Sequence, residues 1–75
     1  MKEQIIELLS QYLDIAPSDI GPDFNKLDCS NWDSIAHLTI VAELEAEFDC
    51  SFEPEEMETM NSLKQILALV GQKTQ

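Results

Sequence analysis

Between residues 3 and 13 the chain reads EQIIELLSQYL, and Ile5, Ile6, Leu8, Leu9, Tyr12 and Leu13 recur at three- and four-residue steps. That spacing predicts an amphipathic helix with one apolar face. Glu3 and Glu7 lie towards its amino end, where the helix dipole favours negative charge. Pro17 forbids its continuation. From Ala16 to Ser30 the residues APSDIGPDFNKLDCS predict a long loop. Ile20, Phe24 and Leu27 recur through it, and large apolar groups in a loop are expected to pin it over the helices. A second helix is expected from about Ser34 to Phe48, then a turn over 49 to 53. Pro54 suits the first position of a short third helix over 54 to 59, with Glu53 as a weak cap. A last helix is expected from Asn61 or Ser62, opened by the capping box of Ser62 and Gln65 and stopped at Gly71. Its apolar stripe is Leu63, Ile66, Leu67 and Val70. No segment alternates with period two for long enough to predict a strand. The expected fold is all-α: a small four-helix bundle, three helices longer and one short, with a long ordered loop between the first two.

The second helix differs from the others in having two apolar faces. At about 100° per residue, His37, Ile40, Val41, Leu44 and Phe48 form one group, and Ile35, Leu38 and Ala42 form another. A small bundle needs only one stripe per helix. The first group is larger and carries the aromatic, so it is expected to face the core. The second is then either a protein-contact strip rimmed by acids or a surface that the long loop covers. Ser34 stands at the amino end of that strip, directly after Asp33. One reading makes Ser34 the helix cap. The other uses the free N–H groups and positive dipole end of the helix, which favour a phosphate ester on the serine hydroxyl. Asp33 fits that second reading as an acid read by an enzyme or as a metal ligand during attachment, because it would repel a phosphate.

Composition narrows the function. The chain has 75 residues, enough for one small domain over residues 1–75 and too thin a core for a deep, water-excluding substrate pocket. Catalysis is therefore not expected. The 15 acidic residues against 4 lysines, for a net charge of -11, repel nucleic acid and anionic membrane surfaces. They suit protein partners with basic patches. No apolar run approaches the roughly 20 residues needed to span a bilayer, and the first residues, MKEQIIELLSQ, do not read as a signal peptide. A cytoplasmic monomer without membrane insertion is expected. Cys29 and Cys50 match no zinc or redox spacing and are expected as reduced thiols.

Asp33-Ser34-Ile35 gives D-S-[LI], placed after a first amphipathic helix and a long loop. It opens an acidic helix that ends in Glu45 to Phe48 as E-x-E-F, followed by a short helix headed Pro-Glu-Glu and a last helix after Met60-Asn61-Ser62. In order and length the whole chain resembles an acyl carrier protein. That resemblance implies 4'-phosphopantetheine attached at Ser34 by a phosphopantetheinyl transferase, with coenzyme A as donor. It also implies a carrier of acyl thioesters that performs no chemistry itself. The partners implied are acyl-loading and acyl-processing enzymes of fatty-acid, polyketide or related lipid biosynthesis. Matched by position, Ile35, Leu38 and Ala42 would be apolar partner contacts. Asp33, Glu43, Glu45 and Glu47 would be acidic ones, with Glu55 and Glu56 beyond them.

The departures from the family pattern are local. Asn31 stands where fatty-acid carriers often have Gly, Ala36 and Thr39 stand where they often have acids, and Trp32 precedes the Asp. The acids of the second helix therefore lie in its back half, which implies a specialised carrier with dedicated partners. Three other readings stay open. A peptidyl or aminoacyl carrier also uses D-S-I, though usually after Gly-Gly and with fewer acids. A non-carrier helical adaptor would use only the apolar strip. A small hydrolase would pair Ser34 with His37, but no orienting third group or oxyanion site is placed by the sequence. His37 is expected as a partly buried structural residue, and Trp32 as a loop anchor first and part of the partner surface second. No metal site is predicted: Cys29, His37 and Cys50 lack zinc spacing, and Glu53, Glu55, Glu56 and Glu58 lack the calcium-loop glycine.

Overall fold

A computed structural model describes residues 1–74. Helix α1 spans Lys2–Leu13, α2 Ser34–Phe48, α3 Pro54–Thr59 and α4 Leu63–Lys73, with short 3-10 turns at Pro17–Asp19 and Lys26–Asp28 in the first connection. No strand is formed among the described residues, and a single antiparallel bridge joins Asn25 to Ser62. The architecture is the all-α bundle of three longer helices and one short one that the periodicity predicts.

One apolar core holds the elements together. Ile5, Leu8, Leu9 and Leu13 of α1 meet Ile40, Val41 and Leu44 of α2 and Leu63, Ile66 and Val70 of α4. Ile20, Phe24 and Trp32 enter that core from the first loop, and Phe52 and Met60 enter it from either side of α3. The loop is therefore pinned, as large apolar groups in it require.

Leu27 does not help to pin it. The expected third anchor is 96% exposed. Polar capping fixes that part of the loop: Asn25 Oδ1 accepts the Leu27 N–H at 2.8 Å, and Asp28 Oδ2 accepts the Asn25 N–H at 3.2 Å. This 3-10 turn directs the Leu27 side chain outward. The loop is also stitched to the start of α4, where Lys26 N–H donates to Asn61 O at 2.7 Å and Leu63 N–H donates to Phe24 O at 3.0 Å.

The helix ends follow from local chemistry. Asp14 and Asp49 close α1 and α2 in the left-handed region, at φ 56° and 52°, which short polar side chains tolerate better than others do. Glu56 Oε1 accepts the Glu53 N–H at 2.8 Å and starts α3. Ser62 Oγ accepts the Gln65 N–H at 3.2 Å, as the capping box predicts. Gln65 Oε1 reaches back one residue further than expected, to the Asn61 N–H. Gly71 is not the stop of α4, which continues to Lys73. An internal glycine costs a helix only about 1 kcal/mol. Here the last turn is held by buried Val70, by the Thr74 hydroxyl donating to Val70 O at 2.9 Å and by a Lys73–Glu56 ion pair at 2.8 Å.

Candidate functional site

The site is the corner where the long loop becomes α2. Asn31, Trp32, Asp33 and Ser34 form it, and each is held differently. Asn31 Nδ2 donates to Leu13 O at 2.8 Å, tying the corner to the last turn of α1. The Trp32 side chain is only 3% exposed and stacks on Phe24, with ring centroids 5.9 Å apart. Its N–H donates to His37 Nδ1 at 3.0 Å, and His37 Nε2 lies 2.8 Å from the Met57 carbonyl of α3. The expectations for Trp32 as a loop anchor and His37 as a partly buried structural residue agree with this arrangement.

The capping reading of Ser34 is corrected by the geometry. Asp33 is the N-cap: its Oδ1 accepts the Ala36 N–H at 2.8 Å, and its carbonyl accepts the His37 N–H at 2.9 Å. Ser34 is the first residue inside the helix and is exposed. No hydrogen bond to another described residue engages its hydroxyl. Ser34 stands at the positive dipole end of α2. The aspartate thus gains a structural reason that charge alone did not supply.

Along α2 the strip is uncovered. Ile35 is 77% and Leu38 62% exposed, Ala42 is exposed, and so is Ala46, which extends the line by one turn. Burial would be worth about 1.5–3 kcal/mol for each large aliphatic side chain, so leaving both in water costs stability. The loop that could have covered them packs elsewhere. Thr39 adds no free hydroxyl to this face, because its Oγ1 donates back to Ile35 O at 3.0 Å.

The acids divide into two kinds. Glu43 and Glu47 are exposed along a groove shared with Gln4, Glu7, Leu8, Gln11 and Tyr12 of α1. Partial burial and then the Glu43 carboxylate push the Tyr12 phenol above its usual range. Glu45 is half-buried, and its Oε2 accepts the Phe52 N–H at 2.8 Å, so it also fixes the turn after α2. Glu55 is exposed on α3, whereas Glu56 is held by Glu53 N–H and Lys73. Cys29 and Cys50 are both free thiols. Burial, the Glu45 carboxylate and Asp49 push the Cys50 thiol up against the opposing pull of Lys73, which leaves it a weak nucleophile.

A family model described as a phosphopantetheine attachment site matches residues 3–70. The chain belongs to this family of phosphopantetheine-binding carriers. No curated protein shows a significant match to it. As a phosphopantetheine carrier it is not an enzyme, and its cofactor is a phosphopantetheine group held covalently. That group would bring a thiol able to hold cargo as a thioester. The corner fits such a group: an exposed hydroxyl outside the capping network, at a helix amino end suited to a phosphate. His37 cannot serve as a base for Ser34, because Trp32 and Met57 occupy both its ring nitrogens. Among the described residues no helix is long and apolar enough to cross a membrane.

What the sequence reading missed here is the wiring. Asn31 stood out only as a departure from Gly, yet it is the tie to α1. The Trp32–His37 bond had a signal, since a buried indole N–H needs an acceptor and the only histidine lies five residues on.

Proposed function

We propose that Ser34 is the residue that carries the 4'-phosphopantetheine arm, and that the chain delivers acyl thioesters to partner enzymes of fatty-acid, polyketide or related lipid biosynthesis in the cytoplasm. The observation that carries this reading is the division of labour at the corner. Asp33 takes the cap, which leaves the neighbouring hydroxyl exposed and uncommitted at the helix terminus. A phosphopantetheinyl transferase supplies the base that takes the Ser34 Oγ proton; Oγ bonds to the phosphorus that bears the pantetheine of coenzyme A, and the pyrophosphate linkage breaks to release adenosine 3',5'-bisphosphate. Ile35, Leu38 and Ala42 then form the apolar contact with partners. Asp33, Glu43, Glu45 and Glu47 supply charge to basic patches on them, with Glu45 restrained by its bond to Phe52. An aminoacyl cargo would ride on the same arm, but a net charge of -11 favours the acyl reading over the peptidyl one.

The test is to incubate the apo chain with coenzyme A and a broad-specificity transferase and to read intact mass. A gain of one phosphopantetheine group, absent from Ser34→Ala, is expected. No gain, or a gain retained by Ser34→Ala, overturns the assignment. Loading of the holo chain with fatty-acyl, malonyl and aminoacyl donors by enzymes of each class then separates acyl from aminoacyl cargo.

A further inference from the structure

Trp32, His37 and Met57 join three elements at the attachment corner, and the hydrogen bonds define a protonation state. The indole N–H can only donate, so His37 Nδ1 must accept it through a lone pair. In the neutral ring the proton then sits on Nε2, which donates to the Met57 carbonyl at 2.8 Å. The imidazole also stacks on the indole, with centroids 6.1 Å apart. One neutral side chain thus fastens the residue two places before Ser34 to the fourth residue of a different helix, the short α3.

We propose that His37 is a positioning residue for the carrier site: its Nε2–H tautomer latches the Trp32–Asp33–Ser34 corner to α3, and protonation of Nδ1 opens the latch. With a proton on Nδ1, two N–H donors would face each other across the 3.0 Å now occupied by a hydrogen bond. Trp32 would lose its acceptor while buried, and a buried donor left without an acceptor is unfavourable. The open form keeps the bond to Met57 but frees the loop side of the corner. The corner retains its tie to α1 through Asn31, so opening shifts Ser34 relative to α3 and leaves the fold in place.

The titratable groups on the elements that meet the ring do not replace the lost bond. On its own helix Asp33 is committed to the Ala36 N–H. In the loop Asp28 is committed to the Asn25 N–H, and Cys29 is a buried thiol. On α3 and its cap stand Glu53, Glu55, Glu56 and Glu58, of which Glu56 is engaged by Glu53 N–H and Lys73. Among the described residues none of these carboxylates forms an ion pair with the ring.

The composition makes the test clean, because Trp32 and His37 are the sole tryptophan and the sole histidine. Tryptophan emission of the apo chain is recorded across roughly pH 5 to 8, the range in which an imidazole exchanges its proton. The wild type is expected to show one step, with quenched and red-shifted emission on the acid side. His37→Gln, whose amide both accepts and donates but does not titrate, is expected to show none. A flat wild-type profile, or the same step in His37→Gln, overturns the latch. In transferase assays His37→Leu is expected to lower kcat/KM by about tenfold, as for a misplaced reacting group, and His37→Gln to restore it. The wild-type rate relative to His37→Gln should fall on the acid side of the step. An unchanged ratio, or wild-type kinetics in His37→Leu, contradicts positioning. The kinetic part rests on the assignment of Ser34, but the emission step does not. Failure of the latch therefore leaves normal mass gain with no step, and failure of the Ser34 assignment leaves a step with no mass gain.

Discussion

At the scale of single residues, Asp33 shows how one side chain can hold two roles that a substitution separates. Its carboxylate caps α2 through the Ala36 N–H, and its charge is exposed, which the proposed partner contact uses. Asparagine caps a helix about as well as aspartate, whereas alanine loses about 1 kcal/mol. In urea denaturation Asp33→Asn should stay within about 0.5 kcal/mol of wild type while Asp33→Ala loses about 1 kcal/mol. Equal losses in the two variants would mean that charge rather than capping carries the stability. The motif Asp33-Ser34-Ile35 was legible in the sequence, and so was the burial of Trp32, Ile20 and Phe24. The identity of the cap was not, because serine and aspartate are equally good caps and only the backbone register decides between them. Leu27 was misjudged for a related reason. Hydrophobicity argues for burial, but the Asn25–Asp28 hydrogen bonds set the turn and leave that side chain in water.

At the scale of elements, α2 is the informative helix, because two apolar faces cannot both meet a small core. The exposed pair Ile35 and Leu38 contributes little to the fold, so Leu38→Glu should leave thermal unfolding within about 0.5 kcal/mol of wild type. The same substitution should slow modification and loading by partner enzymes. A large loss of stability would show that the strip is packed in solution. The α3–α4 pairing makes a pH prediction. The backbone N–H of Glu53, then Lys73, hold the Glu56 carboxyl below its usual range, and Glu56 holds the Lys73 ammonium above its own. A depressed carboxyl stabilises the fold above its unfolded titration and ceases to do so as pH falls through the folded one. A raised ammonium stabilises it below its unfolded titration, about 10.4, and ceases to do so as pH rises through the folded one. Glu56→Gln keeps an acceptor for Glu53 N–H but loses the charge. Its melting temperature should lie below wild type at neutral pH, and the gap should close at both extremes. A gap independent of pH would exclude the ion pair as its cause. This tie also explains why Gly71 failed as a stop signal. Local propensity favours ending the helix there, and contacts of Val70, Lys73 and Thr74 override it.

At the scale of the whole molecule, the net charge of -11 dominates. Only Lys73 and Lys64 enter ion pairs among the described residues, with Glu56 and Asp23, so most carboxylates are uncompensated. Self-repulsion of that size should be eased by screening. The melting temperature should therefore rise when millimolar magnesium is added, and a flat response would show that repulsion is a minor element of the stability. On the proposed function, the same charge that burdens the fold would steer the chain to enzymes with basic patches. The architecture was readable from periodicity and the carrier class from the resemblance that Asp33-Ser34-Ile35 and the order of elements carry, whereas the cargo was not, because no residue of the chain singles out one kind of thioester. The most direct test of the central claim is tandem mass spectrometry of the chain after reaction with coenzyme A and a transferase. The mass of one phosphopantetheine should localise to Ser34; its appearance on any other residue, or on none, would contradict the assignment.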